Sequence, residues 1–163
     1  MGGILFPLLV FAFFAGLIAT ERAQTELSVQ SKAEIVAKSD GTQFLAYRDG
    51  VAAYVNVNPA FIGTVPSTSI IALGNQFSTS FLTSSNNLVT QVGTGTGRVI
   101  TVYSLLSPGA AAAASMASSN DASIGTSTGL NWVSAAQGVS YIPQTLLTTV
   151  PNGSVVSVIQ KGP

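Results

Sequence analysis

Apolar and polar positions follow three different rhythms along the chain. From Met1 to Thr20, "MGGILFPLLVFAFFAGLIAT", no side chain is charged, and Phe, Leu, Ile and Val occupy every side of a helical wheel. As a helix, such a run reaches roughly 30 Å, the hydrocarbon thickness of a bilayer. Pro7 lies near its start, where a missing amide donor costs least, and Gly16 near its end weakens it only modestly. From Glu21 to Lys38, Ala, Glu, Gln and Lys dominate, and Val29, Ala33 and Val36 recur at helical spacing. That pattern predicts a helical stalk, punctuated by "SDG" at Ser39–Gly41. Phe44, Tyr47, Val51 and Tyr54 then fall at intervals of three and four, the stripe of an amphipathic helix facing a core. Pro59 ends it, because the residue before a proline avoids the helical region. Arg48 and Asp49 lie on or near the opposite face, which places them in solvent.

After Pro59 the rhythm changes to strands. "LVTQVGTGTGRVITVYSLL" has β-rich runs on both sides of Gly93, Gly95 and Gly97, a hairpin with a glycine-rich connection. A phosphate-cradling loop is excluded there. The third glycine of G-x-G-x-x-G would fall at Arg98, and a strand rather than a helix follows. "SPGAAAAASMASSN" predicts a short helix entered at Pro108. Trp132 and Tyr141 supply packing, "PNG" a turn, and Ser154–Ile159 a final alternating strand. The expected fold class is α+β: an N-terminal transmembrane helix and stalk, then a small pilin-like domain with one packing helix on an antiparallel sheet. The expected divisions are residues 1–20 as anchor, 21–40 as stalk and 41–163 as the α+β domain.

Other readings of the leading segment are weaker. A secretory signal lacks its basic n-region here, its apolar core is long, and no clean A-x-A site precedes Glu21. A buried core helix would need protein on all sides, which a chain this short can hardly supply. The prepilin pattern fits "GLIATE" by spacing, with Gly16 as cut site, Leu17 as new start and Glu21 fifth. Its order is wrong, because a prepilin's apolar stem follows the cut, whereas the residues after Glu21 are polar. The expectation is therefore a retained single-pass anchor. Arg22, Lys32 and Lys38 after the span would draw the domain to the cytoplasmic side by charge bias, but they are interleaved with Glu21, Glu26 and Glu34.

Composition removes most chemistry. Six basic and six acidic residues balance to zero net charge, so no cationic surface exists to displace counterions from nucleic acid. Cysteine and histidine are absent, which excludes disulfides, thiolate nucleophiles, the usual zinc sites and any Ser-His-Asp set. No S-x-x-K spacing supports a Ser–Lys dyad. The sequence thus predicts no enzyme, no catalytic, metal-binding or cofactor-binding residues, no cofactor and no small-molecule substrate. Nine of the twelve charged residues fall between Glu21 and Asp49, leaving Arg98, Asp121 and Lys161 for the rest. A surface held in solution by Ser, Thr, Asn and Gln resists association poorly through charge repulsion, as expected of a domain packed in an assembly. The stripe Phe44, Tyr47, Val51 and Tyr54 is assigned to the core, so no residue is nominated for partner binding.

Two stretches carry a resemblance. "FLAYRDGVAAYVNVNPAFIGTVP", Phe44 to Pro66, and "VPNGSVVSVIQ", Val150 to Gln160, resemble the PilM family of conjugative thin-pilus systems, small bacterial proteins with an apolar N-terminal segment. The resemblance implies a component of type IV pilus biogenesis at the inner membrane, with a periplasmic C-terminal domain. It implies a non-enzymatic assembly or basal-body scaffold whose partners are other pilus-assembly proteins or pilins, besides the membrane held by the N-terminal helix. A pilin-like or minor pilin subunit of the filament itself is the alternative. The actin-like cytoplasmic ATPase that shares the name in other pilus systems is not similar to this chain.

Overall fold

The computed structural model describes residues 5–162 except 72, 73, 75 and 96, with side chains described from Ser28 onward. One helix, α1, runs Leu5–Val57 over 53 residues. It passes through Ser39–Gly41 without the expected break. Gly41 is there for proximity: a Cβ on it would come within 2.9 Å of the Ala114 nitrogen and 3.1 Å of the Ala110 carbonyl oxygen. The bare backbone lets α4 (Ala110–Ala117) lie almost directly against α1. Ala37, one turn earlier, is buried, and a Cβ on Gly109 would sit 3.6 Å from its methyl group. Composition alone reads "SDG" as punctuation, because glycine's use in close packing depends on a segment far away in sequence. The end of α1 is as expected: Asn58 caps it, donating from both backbone nitrogen (3.0 Å) and Nδ2 (2.9 Å) to the Tyr54 carbonyl just before Pro59.

Packing divides the chain at Ile35/Val36 into residues 1–35 and a unit from Val36 to Pro163. Val29, Ala33 and Val36 are helical as their spacing predicts, and all three side chains are exposed.

The transmembrane expectation is overturned. Among the described residues no helix is long and apolar enough to cross a membrane. The described side chains of α1 include Lys32, Glu34, Lys38, Asp40, Arg48 and Asp49, charges too closely spaced to lie in hydrocarbon. The side chains of residues 1–20, on which the anchor was placed, lie outside those described. Membrane attachment, the single-pass inner-membrane location and the periplasmic placement that depended on it are withdrawn together.

The α+β expectation stands, with a larger sheet than one hairpin and a terminal strand suggest. Strands β1 (Ser85–Gln91), β2 (Arg98–Ser104), β3 (Ile124–Ser127), β4 (Asn131–Ser134), β5 (Gln144–Thr145) and β6 (Val155–Lys161) form one antiparallel sheet in the order β1-β2-β6-β3-β4-β5. Short helices α2 (Ser67–Ile71) and α3 (Thr79–Ser84) precede β1. Strand β2, "RVITVYS", is buried at almost every position because both of its faces are covered. On one face Ile100 and Val102 meet Phe44, Tyr47, Val51 and Val55 of α1. On the other, Tyr103 packs with Trp132, Leu146, Val150 and Val156. Each fully buried side chain of this size contributes about 1.5–3 kcal/mol through removal from water. Gly125 in β3 makes room chiefly for the backbone of β4, since a Cβ there would overlap the Val133 carbonyl and approach Trp132 Cε3 to 2.8 Å.

Candidate functional site

Two sets of polar side chains tie distant segments of the described residues together. Asn87 points inward from β1 and is almost wholly buried. Its Oδ1 accepts from the Val65 nitrogen at 2.7 Å, and its Nδ2 donates to the Val65 carbonyl at 3.0 Å and to Tyr47 Oη at 2.8 Å. Two residues away on the same strand, Gly63 and Val89 exchange a pair of backbone hydrogen bonds, each 2.9 Å. The Gly63–Val65 segment thereby covers the β1 edge, and an amide side chain takes the place of a peptide group in that pairing. Burial raises the Tyr47 phenol above its ordinary value, with the Asn87 hydrogen bond opposing and Tyr103 adding a little. Nothing in "SNNLVTQ" marks Asn87 as inward-facing, since asparagine occurs at both an inward and an outward position of the run.

Arg48 departs from its expected place in solvent. Its side chain is only 12% exposed, with Nη1 2.7 Å from Asp121 Oδ2 and Nε 2.9 Å from Asp49 Oδ1. Asp121 follows α4, where Ser119 and Asn120 adopt left-handed backbone angles. Its Oδ1 accepts from the Ser123 nitrogen at 2.8 Å. Partial burial pushes the Asp121 carboxyl up, but the Ser123 and Arg48 contacts together outweigh that and hold it below the ordinary carboxylate value. Asp49 remains exposed, as expected. The ion pair therefore joins α1 to the α4–β3 connection.

Two depressions mark the surface of the Val36–Pro163 unit. One, of about 260 Å³, lies between Asp40, Ser78, Ser84 and Ser107. Its single carboxylate already accepts from the Ser107 nitrogen at 3.0 Å. The other, of about 310 Å³, lies at the glycine-rich end of β1, β2 and β6, by Arg98 and Lys161. These two cations face each other in register. Arg98 is buried and donates to the carbonyls of Phe61 (3.3 Å) and Gly97 (3.0 Å). Neither depression brings together the acid, base and nucleophile that acid–base or covalent catalysis requires. Among the described residues no group of three His, Cys, Asp or Glu could hold a metal ion. Phe44, Tyr47 and Val51 are buried, and Tyr54 packs edge-on against Phe61 with ring centroids 5.2 Å apart, so the helix stripe faces the core.

A helix packed on an antiparallel sheet, with its polar side chains used to tie segments together, defines an α+β module of structural type. Comparison with known proteins gives that class a family. The family model described as PilM matches residues 10–158, and the chain belongs to the PilM family. The crystal structure of PilM from Escherichia coli B7A shares the fold, with a TM-score of 0.53 and 17% sequence identity over 80% of this chain and 94% of that one. No curated protein matches the sequence. The family assignment makes this a non-enzymatic protein of pilus biogenesis.

Proposed function

We propose that the protein acts by position, holding other pilus-assembly proteins or pilins against the neutral faces of its α+β unit during pilus assembly. The family match across residues 10–158 carries this reading, because it spans α1, the sheet and both cores rather than one motif. The surface chemistry supports it. Between Asp121 and Lys161 no residue is charged, so the side chains that β3, β4, β5 and β6 leave exposed there, Thr126, Asn131, Gln144, Thr145 and Gln160, are all neutral. Neutral surfaces of this kind associate through shape and apolar contact rather than by electrostatic steering.

Deleting the gene from a piliated donor strain tests the reading. Loss of pili and of pilus-dependent conjugation, restored by the full-length chain, is expected, together with capture of assembly proteins or pilins after cross-linking in cells. Normal piliation in the deletion strain overturns it. Recovery of the protein in sheared filaments, in proportion to the major subunit, would make it a building block of the fibre instead.

A further inference from the structure

Beyond Asp49 the chain carries three charged side chains, Arg98, Asp121 and Lys161. Asp121 is taken by Arg48, as described above. The other two are cations, and the sheet sets them side by side. Arg98 opens β2, Lys161 closes β6, and the register of the two strands places them directly opposite each other. Antiparallel partners of that kind hold their Cβ atoms about 5 Å apart on one face of the sheet, where like charges are destabilising. Gln91, opposite Arg98 on its other side, is neutral and donates to the Gly95 carbonyl at 3.0 Å. Among the described residues no carboxylate pairs with either cation.

Arg98 is the more unusual of the two. It is only 7% exposed, and a buried charge is normally neutralised by an opposite one. The Phe61 and Gly97 carbonyls accept from its Nε and Nη1 and so fix the plane of the guanidinium, but they carry only partial charge. Nη2 has no partner among the described residues and is not enclosed. Lys161 is half-buried, and both residues line the depression of about 310 Å³. A planar donor already held in place, with an ammonium beside it, presents what two carboxylate oxygens require.

We propose that Arg98 and Lys161 receive the carboxylate of an acidic side chain on a partner protein, one oxygen on Arg98 Nη2 and the other on Lys161 Nζ. Two cations are too few for an anionic membrane surface, which takes clusters of about four to eight, or for a nucleic acid. Phosphate is cradled by several free backbone N–H groups at a helix start or turn, whereas this pair lies on strands whose amides belong to the sheet ladder. The depression is otherwise lined by Val92, Val99 and bare glycines, which a side chain arriving on a folded protein covers and a free anion does not. One charged contact on an otherwise neutral surface fixes a partner's orientation more than it adds affinity. This inference goes beyond the pilus reading and does not depend on it.

Nuclear magnetic resonance of the isotope-labelled full-length chain in a non-ionic detergent tests the site, with the blocked tripeptide acetyl-Gly-Glu-Gly-amide as probe. Saturable shifts of the Arg98 Nε–H signal and of the Gly97 and Lys161 amides are expected, with a dissociation constant on the order of 1–10 mM for a single charge-assisted contact. The same peptide with Gln in place of Glu should leave them unmoved at equal ionic strength. Lys161→Gln should weaken binding at least about threefold. Lys161→Glu should abolish it and raise the thermal midpoint, because the new carboxylate then lies opposite Arg98 in the register. Lys161 is partly exposed, so these variants should keep the fold even where Arg98→Gln, at a buried position, does not. Absence of a saturable response up to about 100 mM overturns the proposal. So does an undiminished response in Lys161→Glu, or inorganic phosphate saturating the same signals at lower concentration than the peptide.

Discussion

Asn87 Nδ2 donates a 2.8 Å hydrogen bond to Tyr47 Oη across 40 residues of sequence, joining the middle of α1 to the edge strand of the sheet. The same amide holds both polar groups of the Val65 backbone. Asn87→Ala leaves three buried groups without partners, each costing about 1–3 kcal/mol when orphaned. A combined loss of roughly 2–4 kcal/mol is expected, since some relaxation toward water is available. Tyr47→Phe removes one partner and leaves the rings of Phe77 and Phe81 in their edge-on contacts, so its cost should stay near 1 kcal/mol. Urea denaturation of the three proteins checks the order. Equal midpoints would remove the amide from the account of stability.

Alkaline pH reports on the same tyrosine. Burial favours the neutral phenol, so the folded pKa is raised above the unfolded one. The stability from this site is fully present below about pH 10 and is lost as pH rises through the higher folded value. In a near-ultraviolet titration, Tyr47 should ionise late, above the ordinary tyrosine value, or together with unfolding. Tyr47→Phe should lack that late step.

Gly41→Ala tests the contact between α1 and α4. Alanine gains up to about 1 kcal/mol in helix propensity. The added methyl meets backbone of α4 at 2.9 Å, which cannot rotate away, and overpacking of that kind costs about 1–3 kcal/mol. A net fall in the thermal midpoint is expected. A rise would mean that the two helices are not pressed together at this point.

The Arg48–Asp121 pair supplies an acid-side dependence. Asp121 titrates below the ordinary carboxylate value when folded, so its contribution is complete above about pH 4 and fades as pH falls through the depressed value. Because the carboxylate is partly exposed, the contribution at neutral pH is about 1 kcal/mol or less. Asp121→Asn should lower stability by that amount at neutral pH and flatten the acid limb of the pH–stability curve. An unchanged acid limb would show that other carboxylates produce it.

These results also show which features the sequence could announce. The stripe Phe44, Tyr47, Val51 marked the buried face of α1, and the glycines between residues 92 and 98 marked the β1–β2 hairpin, because both signals are local and periodic. Strands β3, β4 and β5 were harder to read. They are two to four residues long, too short for alternation to rise above the surrounding Ser and Thr. Gly41 misled because its purpose lies at Ala114. Arg48 misled because Asp121 reaches it from a loop whose position no helix periodicity encodes. Length, absence of charge and flanking residues make the apolar opening look like an anchor, and none of these signals tells which surroundings a greasy helix will find. The absence of histidine and cysteine, by contrast, bounded the chemistry from the outset.

The sheet is completed by its last strand in chain order. β6 sits between β2 and β3, contributing seven residue pairs to one neighbour and three to the other. Until Val155–Lys161 leave the ribosome, the β1–β2 hairpin and the β3–β4–β5 ribbon share no strand, and each leaves an apolar flank open to water. Before that strand emerges the nascent chain holds an unsealed half-sheet waiting for its keystone, the stage at which a chaperone would have most to hold.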